Sequence, residues 1–181
     1  SRRAQGISAA VIGARAAYIA GCVATACTLT DQLYGVPAAG TMAHSWVQMF
    51  DTEYEAFKFY METYPNNAIL LVDTYNTLKS GIPNAIRVFK EYLAKGGKLD
   101  NYGIRLDSGD LSYLTKKARA MLDEAGLQDA KIVASNSLDE HLIKELLRQG
   151  AKIDAFGVGE RLITSQTSPV FGGVYKLSAV E

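Results

Sequence analysis

Polar side chains that can do acid–base, anion-binding or nucleophilic chemistry stand directly after hydrophobic runs in this chain. Five such runs end in a small cluster of polar, charged or glycine residues. The clusters contain Thr41, His44 and Ser45; Asp73 and Thr74; Arg105, Asp107, Ser108 and Asp110; Ser135 and Asn136; and Gly157 and Gly159. In a parallel α/β sheet or barrel, the carboxyl ends of the strands meet on one rim. We therefore expect these residues to converge and to form an active site.

The most strongly charged cluster is centred on Arg105 and Asp107. The planar guanidinium of Arg105 can bind a carboxylate or a phosphate through two hydrogen bonds, or it can stack on an aromatic ring. Asp107 points to the same side of an extended chain and can bind ribose hydroxyls or a metal-bound pyrophosphate. The alternative is structural, because Asp107 and Asp110 can cap the next helix and pair with Arg105. Both interpretations can hold at once.

A histidine, His44, follows the hydrophobic run at residues 36–40. It can act as a general base, as a proton donor, or as a nucleophile that accepts a phosphoryl group. The alternative is a structural histidine that is hydrogen-bonded near Ser45. The other histidine, His141, is expected on the solvent face of a helix.

Two glycines, Gly157 and Gly159, follow a late predicted strand. Glycine lets backbone N–H groups approach an anion closely, and phosphate sites of barrels commonly follow the late strands. A simple tight turn is the alternative for so short a motif.

The remaining candidates are shorter polar segments. An unpaired carboxylate at the end of the apolar run before Asp73 would be costly, so Asp73 needs a partner such as Arg105 or a ligand hydroxyl. Ser135 and Asn136 can bind a ligand or cap the following helix. Arg2 suits a pyrophosphate, although an ordinary surface terminus is the other interpretation.

Hydrophobic periodicity and breaker residues predict a regular alternation of helices and strands. Strands are predicted at residues 36–40, 68–72, 102–106, 131–134, 153–157 and 171–177. Helices are predicted at residues 7–20, 28–34, 53–64, 84–93, 111–125 and 138–148. This alternation indicates a parallel α/β fold with right-handed crossovers. An incomplete TIM-like α/β barrel fits best, because polar clusters follow every strand. In an open sheet, a site at the switch point would use only a few of the strand ends.

Composition excludes some classes of function. The 19 basic residues balance the 19 acidic residues, so neither nucleic-acid binding nor membrane-surface binding is indicated. The most apolar stretch, residues 9–26, is rich in Ala and Gly and is interrupted by Arg15, so it does not suit a membrane span. Cys22 and Cys27 have no matching pair and are expected to be buried, reduced thiols, which suits a cytoplasmic protein. Both ends look cut, so we expect one α/β core domain over residues 1–181, a fragment lacking N-terminal and C-terminal segments.

The ordered set of motifs is more specific than any single member. RRAQG, GTMAHSWV, VDTYNT, GIRLDSGDL, VASNSLDE and FGVGERLITS resemble, in this order, the core of the nicotinate phosphoribosyltransferase family. The resemblance runs across nearly the whole chain. It implies the barrel of the type II phosphoribosyltransferases and an enzyme that forms nicotinate mononucleotide and pyrophosphate from nicotinate and phosphoribosyl pyrophosphate. It also implies Mg²⁺, ATP hydrolysis coupled through a phosphorylated histidine, a homodimer and a role in NAD biosynthesis.

The resemblance also implies roles for individual residues. His44 matches the phosphorylated histidine, and His44, Asp73 and Asp107 are the implied catalytic residues. The implied substrate-binding residues are Arg2, Thr41, Ser45, Arg105, Ser135, Asn136, Gly157 and Gly159. No residue is assigned directly to the metal. Arg105 is the candidate for binding the carboxylate of nicotinate.

The choice of base depends on the stretch after Gly21. Nicotinamide-using relatives place an acidic residue there, whereas residues 22–25 of this chain carry no carboxylate, which favours nicotinate. The alternatives are a nicotinamide or quinolinate phosphoribosyltransferase, and a non-catalytic fragment that serves subunit assembly. Quinolinate would call for additional basic residues around the ring site, and the order of motifs argues against it.

Overall fold

The computed structural model describes residues 2–165, 167, 173 and 179. These residues form two compact units. The first, here called the helix unit, comprises residues 2–40, 136–140 and 158–165 together with residues 167 and 173. The second, here called the sheet unit, comprises residues 41–135 and 141–157 together with residue 179. The expectation of one core domain stays a prediction.

The sheet unit is built on a parallel sheet. Its four strands among the described residues are β1 (Asn67–Leu71), β2 (Asn101–Leu106), β3 (Lys131–Ser135) and β4 (Ala155–Gly157). They lie in chain order, and every neighbouring pair is parallel. The register places Leu71 beside Arg105 and Ser135 beside Gly157, so the carboxyl ends of the strands share one edge. The predicted parallel α/β fold is confirmed, and strands in chain order are what a section of a barrel would show.

Helices follow the strands as expected for a parallel sheet, whose crossover connections are usually helical. The helical segments of this unit are α3 (His44–Val47), α4 (Glu53–Thr63), a π-helix (Thr77–Gly81), α5 (Ile82–Ala94), α6 (Leu111–Glu124) and α7 (Glu140–Arg148). Thr52 and Glu55 form a reciprocal capping box that starts α4. Asp110 accepts a hydrogen bond from the amide of Tyr113 and starts α6, as predicted.

One hydrophobic core lies between these helices and the sheet. Leu70 and Ile104 of the strands pack with Phe57 of α4 and Phe89 of α5, and all four are fully buried. Burial of side chains of this size stabilises the fold by about 1.5–3 kcal/mol each relative to exposure. The core thus fixes β1 and β2, the two strands that lead into Asp73 and Asp107.

The helix unit contains α1 (Ile7–Ile19), α2 (Thr28–Tyr34) and α8 (Glu160–Ile163). A small cluster of Val11, Ala14 and Cys27 joins α1 to the start of α2. Cys27 is thus buried as predicted, whereas the prediction of a buried Cys22 is wrong, because that residue is exposed. Gly13 packs closely against Ile163, because a Cβ at Gly13 would lie 2.8 Å from that side chain. None of the helices in the described residues is long and apolar enough to cross a bilayer.

The strand predicted at residues 36–40 is wrong, since only an isolated bridge between Thr25 and Ala38 forms there. Pro37 has no N–H to donate, and the amide of Ala38 donates to the carboxylate of Asp31 instead of to a strand. The π-helix before α5 was not predicted. The strand predicted at residues 171–177 lies, apart from Gly173, outside the described residues.

Candidate active site

His44 is the first residue of α3, and its ring lies between two of the predicted polar clusters. Its Nδ1 atom is 3.1 Å from the hydroxyl of Thr74. Its Nε2 atom is 3.7 Å from Oδ2 of Asp107 and 4.0 Å from Oδ1 of Asp73. The side chain is one-third exposed, so one part of the ring remains open to a ligand. A hydroxyl on one nitrogen and carboxylates near the other orient the ring.

Asp73 follows β1 and is the most buried acid of the site, with a side chain that is 1% exposed. Its Oδ2 atom accepts hydrogen bonds from the amide of Asp107, at 2.8 Å, and from the hydroxyl of Ser108, at 2.6 Å. Its Oδ1 atom has no hydrogen-bond partner among the described residues. The sequence predicted a partner such as Arg105 or a ligand hydroxyl for this acid, and within the chain the structure gives it the backbone amide of Asp107 and the hydroxyl of Ser108.

Arg105 lies near the end of β2, and Asp107 directly follows that strand. One guanidinium nitrogen is 3.4 Å from Oδ1 of Asp107, and another donates to the carbonyl oxygen of Met42 at 3.3 Å. The Nε atom of Arg105 is buried and has no partner among the described residues. The hydroxyl of Ser135 donates to Asp107, which connects the ends of β2 and β3. Asp107 is therefore shared by Arg105, Ser135 and His44.

Thr41 connects the segment before α3 to the sheet, because its hydroxyl donates to the carbonyl oxygen of Ile69 in β1. The phenol of Tyr60 lies near Thr41 and Arg105. Burial raises the pKa of Tyr60, while the hydroxyl of Thr41 and the charge of Arg105 oppose the rise. Ser45 is half-buried in α3, next to His44.

The end of β4 leaves little room beside Ser135. A Cβ atom at Gly157 would lie 3.2 Å from the Cβ atom of Ser135, which is tighter than an ordinary contact. Glycine at this position therefore allows the two strand ends to approach each other. The prediction that Ser135 and Gly157 share a rim is confirmed by their pairing in the register.

Three predicted site residues belong to the helix unit. Arg2 is exposed in a turn, and Gly159 is the residue before α8. Asn136 has a φ of 83°, in the left-handed region that asparagine tolerates better than most residues. In the same unit Arg3 pairs with Glu160 at 3.6 Å. The ligand-binding roles of Arg2, Asn136 and Gly159 stay predictions.

Several contacts of the site have no direct signal in the amino-acid pattern. Thr74 was noted as polar, but nothing in its spacing pointed to His44, thirty residues away. Tyr60 and Glu53 lie in the helix predicted at residues 53–64, and nothing in their spacing marks the first as a neighbour of Thr41 or the second as a buried acid, which is only 4% exposed. Burial of this kind depends on tertiary packing, which a local pattern does not contain.

The arrangement combines an imidazole, two carboxylates and a guanidinium at the carboxyl edge of a parallel sheet. Within the described part of the chain, no three His, Cys, Asp or Glu side chains are grouped so that they could hold a metal ion by themselves. Two carboxylates at one edge can still share a hard cation with the phosphates of a substrate. These features define an α/β protein whose site suits an anionic, phosphate-bearing ligand.

Comparison with known proteins places this site in a family. The model of the nicotinate phosphoribosyltransferase (NAPRTase) family matches residues 1–181. The chain therefore belongs to the nicotinate phosphoribosyltransferase family, and the resemblance seen in its motifs is confirmed.

Individual relatives agree with this assignment. The chain is 54% identical to the nicotinate phosphoribosyltransferase of Bacillus subtilis over 181 residues, which are 100% of this chain and 36% of that protein. It is 45% identical to the nicotinate phosphoribosyltransferase pncB2 of Mycobacterium tuberculosis, over 100% of this chain and 38% of that protein. The crystal structure of human nicotinic acid phosphoribosyltransferase matches with a TM-score of 0.71 and 26% identity, over 86% of this chain and 41% of that chain. The chain thus spans less than half of these relatives.

Proposed function

We propose that this chain forms the catalytic core of a nicotinate phosphoribosyltransferase. The enzyme joins nicotinate to the ribose of phosphoribosyl pyrophosphate, releases pyrophosphate, and so serves NAD biosynthesis. The observation that carries the proposal is the convergence of His44, Asp73, Arg105 and Asp107 at one sheet edge. The chain's membership in the family and the names of its relatives support the choice of substrates.

The proposed reaction is a displacement at C1 of the ribose. The ring nitrogen of nicotinate forms the new C–N bond as the C–O bond to pyrophosphate breaks, so positive charge develops on the sugar. Carboxylates fixed near that charge favour the transition state more than the ground state. Asp73 is suited to this role because its buried Oδ2 is held by two hydrogen bonds and cannot turn away.

Mg²⁺ fits the carboxylates of the site. Mg²⁺ is usually bound by one or two carboxylates together with waters and substrate phosphates. Asp73 and Asp107 would provide those carboxylates, and the unpartnered Oδ1 atom of Asp73 is available to a cation. When bound, the ion would offset charge on the leaving pyrophosphate. Within the chain, the hydroxyl of Ser135 keeps Asp107 in place for this role.

His44 is the proposed phosphoryl carrier for ATP. A ring nitrogen would attack the γ-phosphorus, the P–O bond to ADP would break, and water would later cleave the P–N bond to release phosphate. A phosphoryl group adds about −1.5 to −2 charges at neutral pH. Such charge beside Asp73 and Asp107 would strongly change the electrostatics of the site, which supports a role for phosphorylation in coupling ATP to turnover.

Arg105 is proposed to bind the carboxylate of nicotinate. Its guanidinium contacts in the structure are long, at 3.3 and 3.4 Å, and its Nε atom has no partner among the described residues. A carboxylate ligand would therefore gain charge-assisted hydrogen bonds by replacing weak contacts with better ones.

The finer parts of the proposal depend on the resemblance in the sequence. Arg2 is proposed to bind pyrophosphate, and Gly157 and Gly159 to hold the 5′-phosphate of the product. Ser135 and Asn136 are proposed to contact the ribose. Substrate contacts by Thr41 and Ser45, a homodimeric assembly and a cytoplasmic location belong to the same proposal.

The test is a comparison of bases on the full-length enzyme. Mononucleotide formation from phosphoribosyl pyrophosphate is measured with nicotinate, nicotinamide or quinolinate, each with and without Mg-ATP. The expected result is that only nicotinate, among the three bases, is converted to its mononucleotide, and that ATP stimulates this conversion. His141→Ala, at an exposed position of α7, should retain both rates, whereas His44→Ala should lose the stimulation. Preferred turnover of another base would contradict the proposed substrate.

A further inference from the structure

Glu53 is a buried acid that the proposed mechanism does not use. It is the first residue of α4 and is only 4% exposed. Its Oε2 atom accepts hydrogen bonds from the hydroxyl of Ser80, at 2.6 Å, and from the side-chain amide (Nδ2) of Asn84, at 3.3 Å. Its Oε1 atom is buried without a hydrogen-bond partner among the described residues. Ser80 and Asn84 also contact each other at 3.3 Å, so the three side chains form a closed set.

The fold alone does not account for this acid. A negative side chain in the first turn of a helix is favourable, but an exposed carboxylate would serve equally well. A buried carboxyl with one unpartnered oxygen is costly, and a well-packed apolar residue in such a place is often neutral or stabilising. Burial raises the pKa of Glu53, the hydrogen bonds from Ser80 and Asn84 lower it, and the nearby charge of Asp73 raises it further.

Ser80 connects Glu53 to the end of β1. It belongs to the π-helix, in which the amides of Ser80 and Gly81 both donate to the carbonyl oxygen of Asn76 at 2.9 Å. Gly81 lies directly against the backbone of Val72, since a Cβ atom at Gly81 would be 1.8 Å from the Val72 carbonyl oxygen. A hydrogen bond that fixes Ser80 therefore also fixes the backbone on which Val72 rests.

Val72 immediately precedes Asp73. Its amide donates to the carbonyl oxygen of Arg105 at 3.2 Å, which continues the pairing of β1 with β2 by one residue. The carboxylate of Asp73 then accepts from the amide of Asp107 at 2.8 Å. A small displacement of Val72 would therefore move the carboxylate of Asp73 and weaken its hydrogen bond with the amide of Asp107.

We propose that Glu53 is a positioning residue for Asp73, acting through Ser80 and the π-helix to hold Val72 at the end of β1. The proposal depends on the proposed function only for its kinetic consequence. The structural consequence, the hydrogen bond between Asp73 and the amide of Asp107, can be measured in an inactive protein.

The test uses the full-length enzyme and three variants. Glu53→Ala removes the acceptor, Glu53→Gln keeps the shape and one acceptor oxygen, and Glu62→Ala changes an exposed acid of the same helix as a control. Glu53→Ala should lower kcat for mononucleotide formation by roughly tenfold to a hundredfold, because a misplacement of about 1 Å has effects of that size. The KM for nicotinate should stay unchanged, and Glu53→Gln should recover most of the loss.

A double-mutant cycle with Asp73→Asn separates positioning from a general loss of stability. If Glu53 acts through Asp73, Glu53→Ala has no further effect on kcat in the Asp73→Asn background. Losses that multiply would overturn the proposal. Ser80→Ala removes the same hydrogen bond with less disturbance of the core, and it should reproduce the kinetic result if Glu53→Ala does not fold.

Hydrogen exchange at the amide of Asp107 provides a readout that does not depend on activity. Faster exchange in Glu53→Ala, with unchanged exchange of the buried amides of β2, is the expected result. Unchanged exchange at Asp107 would overturn the proposal even if activity fell. If the unsubstituted enzyme makes no nicotinate mononucleotide, the proposed function fails, and the exchange measurement still decides the role of Glu53.

Discussion

For Gly81→Ala, helix propensity and packing predict opposite changes in the free energy of unfolding. Gly81 has φ −57° and ψ −59°, so its backbone is helical and does not require glycine. Alanine is favoured over glycine within a helix by about 1 kcal/mol. Propensity alone therefore predicts that Gly81→Ala stabilises the protein.

Packing at this position predicts the reverse. The new Cβ atom would lie 1.8 Å from the carbonyl oxygen of Val72, 2.6 Å from its carbonyl carbon and 2.9 Å from its Cα atom. A carbon and a carbonyl oxygen in close contact are about 3.3 Å apart, so the π-helix and the strand would have to separate by about 1.5 Å. These are backbone atoms, and no side-chain rotation relieves the clash.

The expected balance is a clear loss of stability. Overpacking of this kind costs about 3 kcal/mol or more, and the gain in propensity of about 1 kcal/mol leaves a net loss of about 2 kcal/mol. With a urea dependence of about 2 kcal/mol per molar, the midpoint of unfolding should fall by about 1 M. Gly40→Ala is a suitable control, because a Cβ atom there meets nothing within 4 Å. An unchanged or raised midpoint for Gly81→Ala would refute the reasoning.

Four further substitutions test the site and one surface pair. Arg105→Ala should raise the KM for nicotinate roughly tenfold to a hundredfold, which corresponds to about 1.5–3 kcal/mol for a charged hydrogen bond, and equal loss of ATP hydrolysis would contradict its assignment to the carboxylate. Asp73→Asn should lower kcat by roughly a hundredfold, and a change confined to KM would argue against stabilisation of the transition state. Thr74→Val removes the contact with Nδ1 of His44 and should reduce ATP stimulation by roughly fivefold, about 1 kcal/mol, without changing the ATP-independent rate. Hydrogen bonds from Arg148 and Gln149 lower the pKa of Glu145 from 4.5 to about 2. The contribution of Glu145 to the free energy of unfolding is therefore present above pH 4.5 and is lost as the pH falls toward 2. Glu145→Gln should lack this pH-dependent contribution in unfolding curves measured across this range.

Local patterns were sufficient for most of the sheet unit. The apolar run before Asp73 and the YGIRL run before Asp107 are strands within one residue of their predicted bounds, because a strand buried on both faces needs a continuous apolar sequence. The convergence of Asp73 and Asp107 followed from this, since parallel strands bring their carboxyl ends to one edge. His44 was expected at that edge from a strand at residues 36–40 that does not form, and it reaches the two acids as the first residue of α3 instead. The fold class and the proximity of these acids were therefore predictable from the alternation of helices with strands and from the polar residues that follow the strands.

The failures have physical causes that the sequence does not display. Residues 36–40 are apolar enough for a strand, but Pro37 has no N–H and the amide of Ala38 donates to Asp31. Pairing with Thr25 is therefore limited to one bridge, in which the amide of Ala39 is the donor from this segment. The π-helix depends on the fit of Gly81 against Val72, a contact between segments nine residues apart. Of the two partners expected for Asp73, a ligand hydroxyl stays a prediction, and the amide of Asp107 takes the place of Arg105, because a backbone amide can satisfy a carboxylate as well as a charged side chain can.

The most direct test of the account is phosphoryl transfer to His44. The full-length enzyme is incubated with ATP carrying a labelled γ-phosphate, and the protein-bound label is measured beside His44→Ala and His141→Ala. The account predicts an acid-labile, base-stable label on the unsubstituted enzyme and on His141→Ala, and none on His44→Ala. Label that persists in His44→Ala, or ATP-stimulated formation of nicotinate mononucleotide without any labelled enzyme, would contradict it.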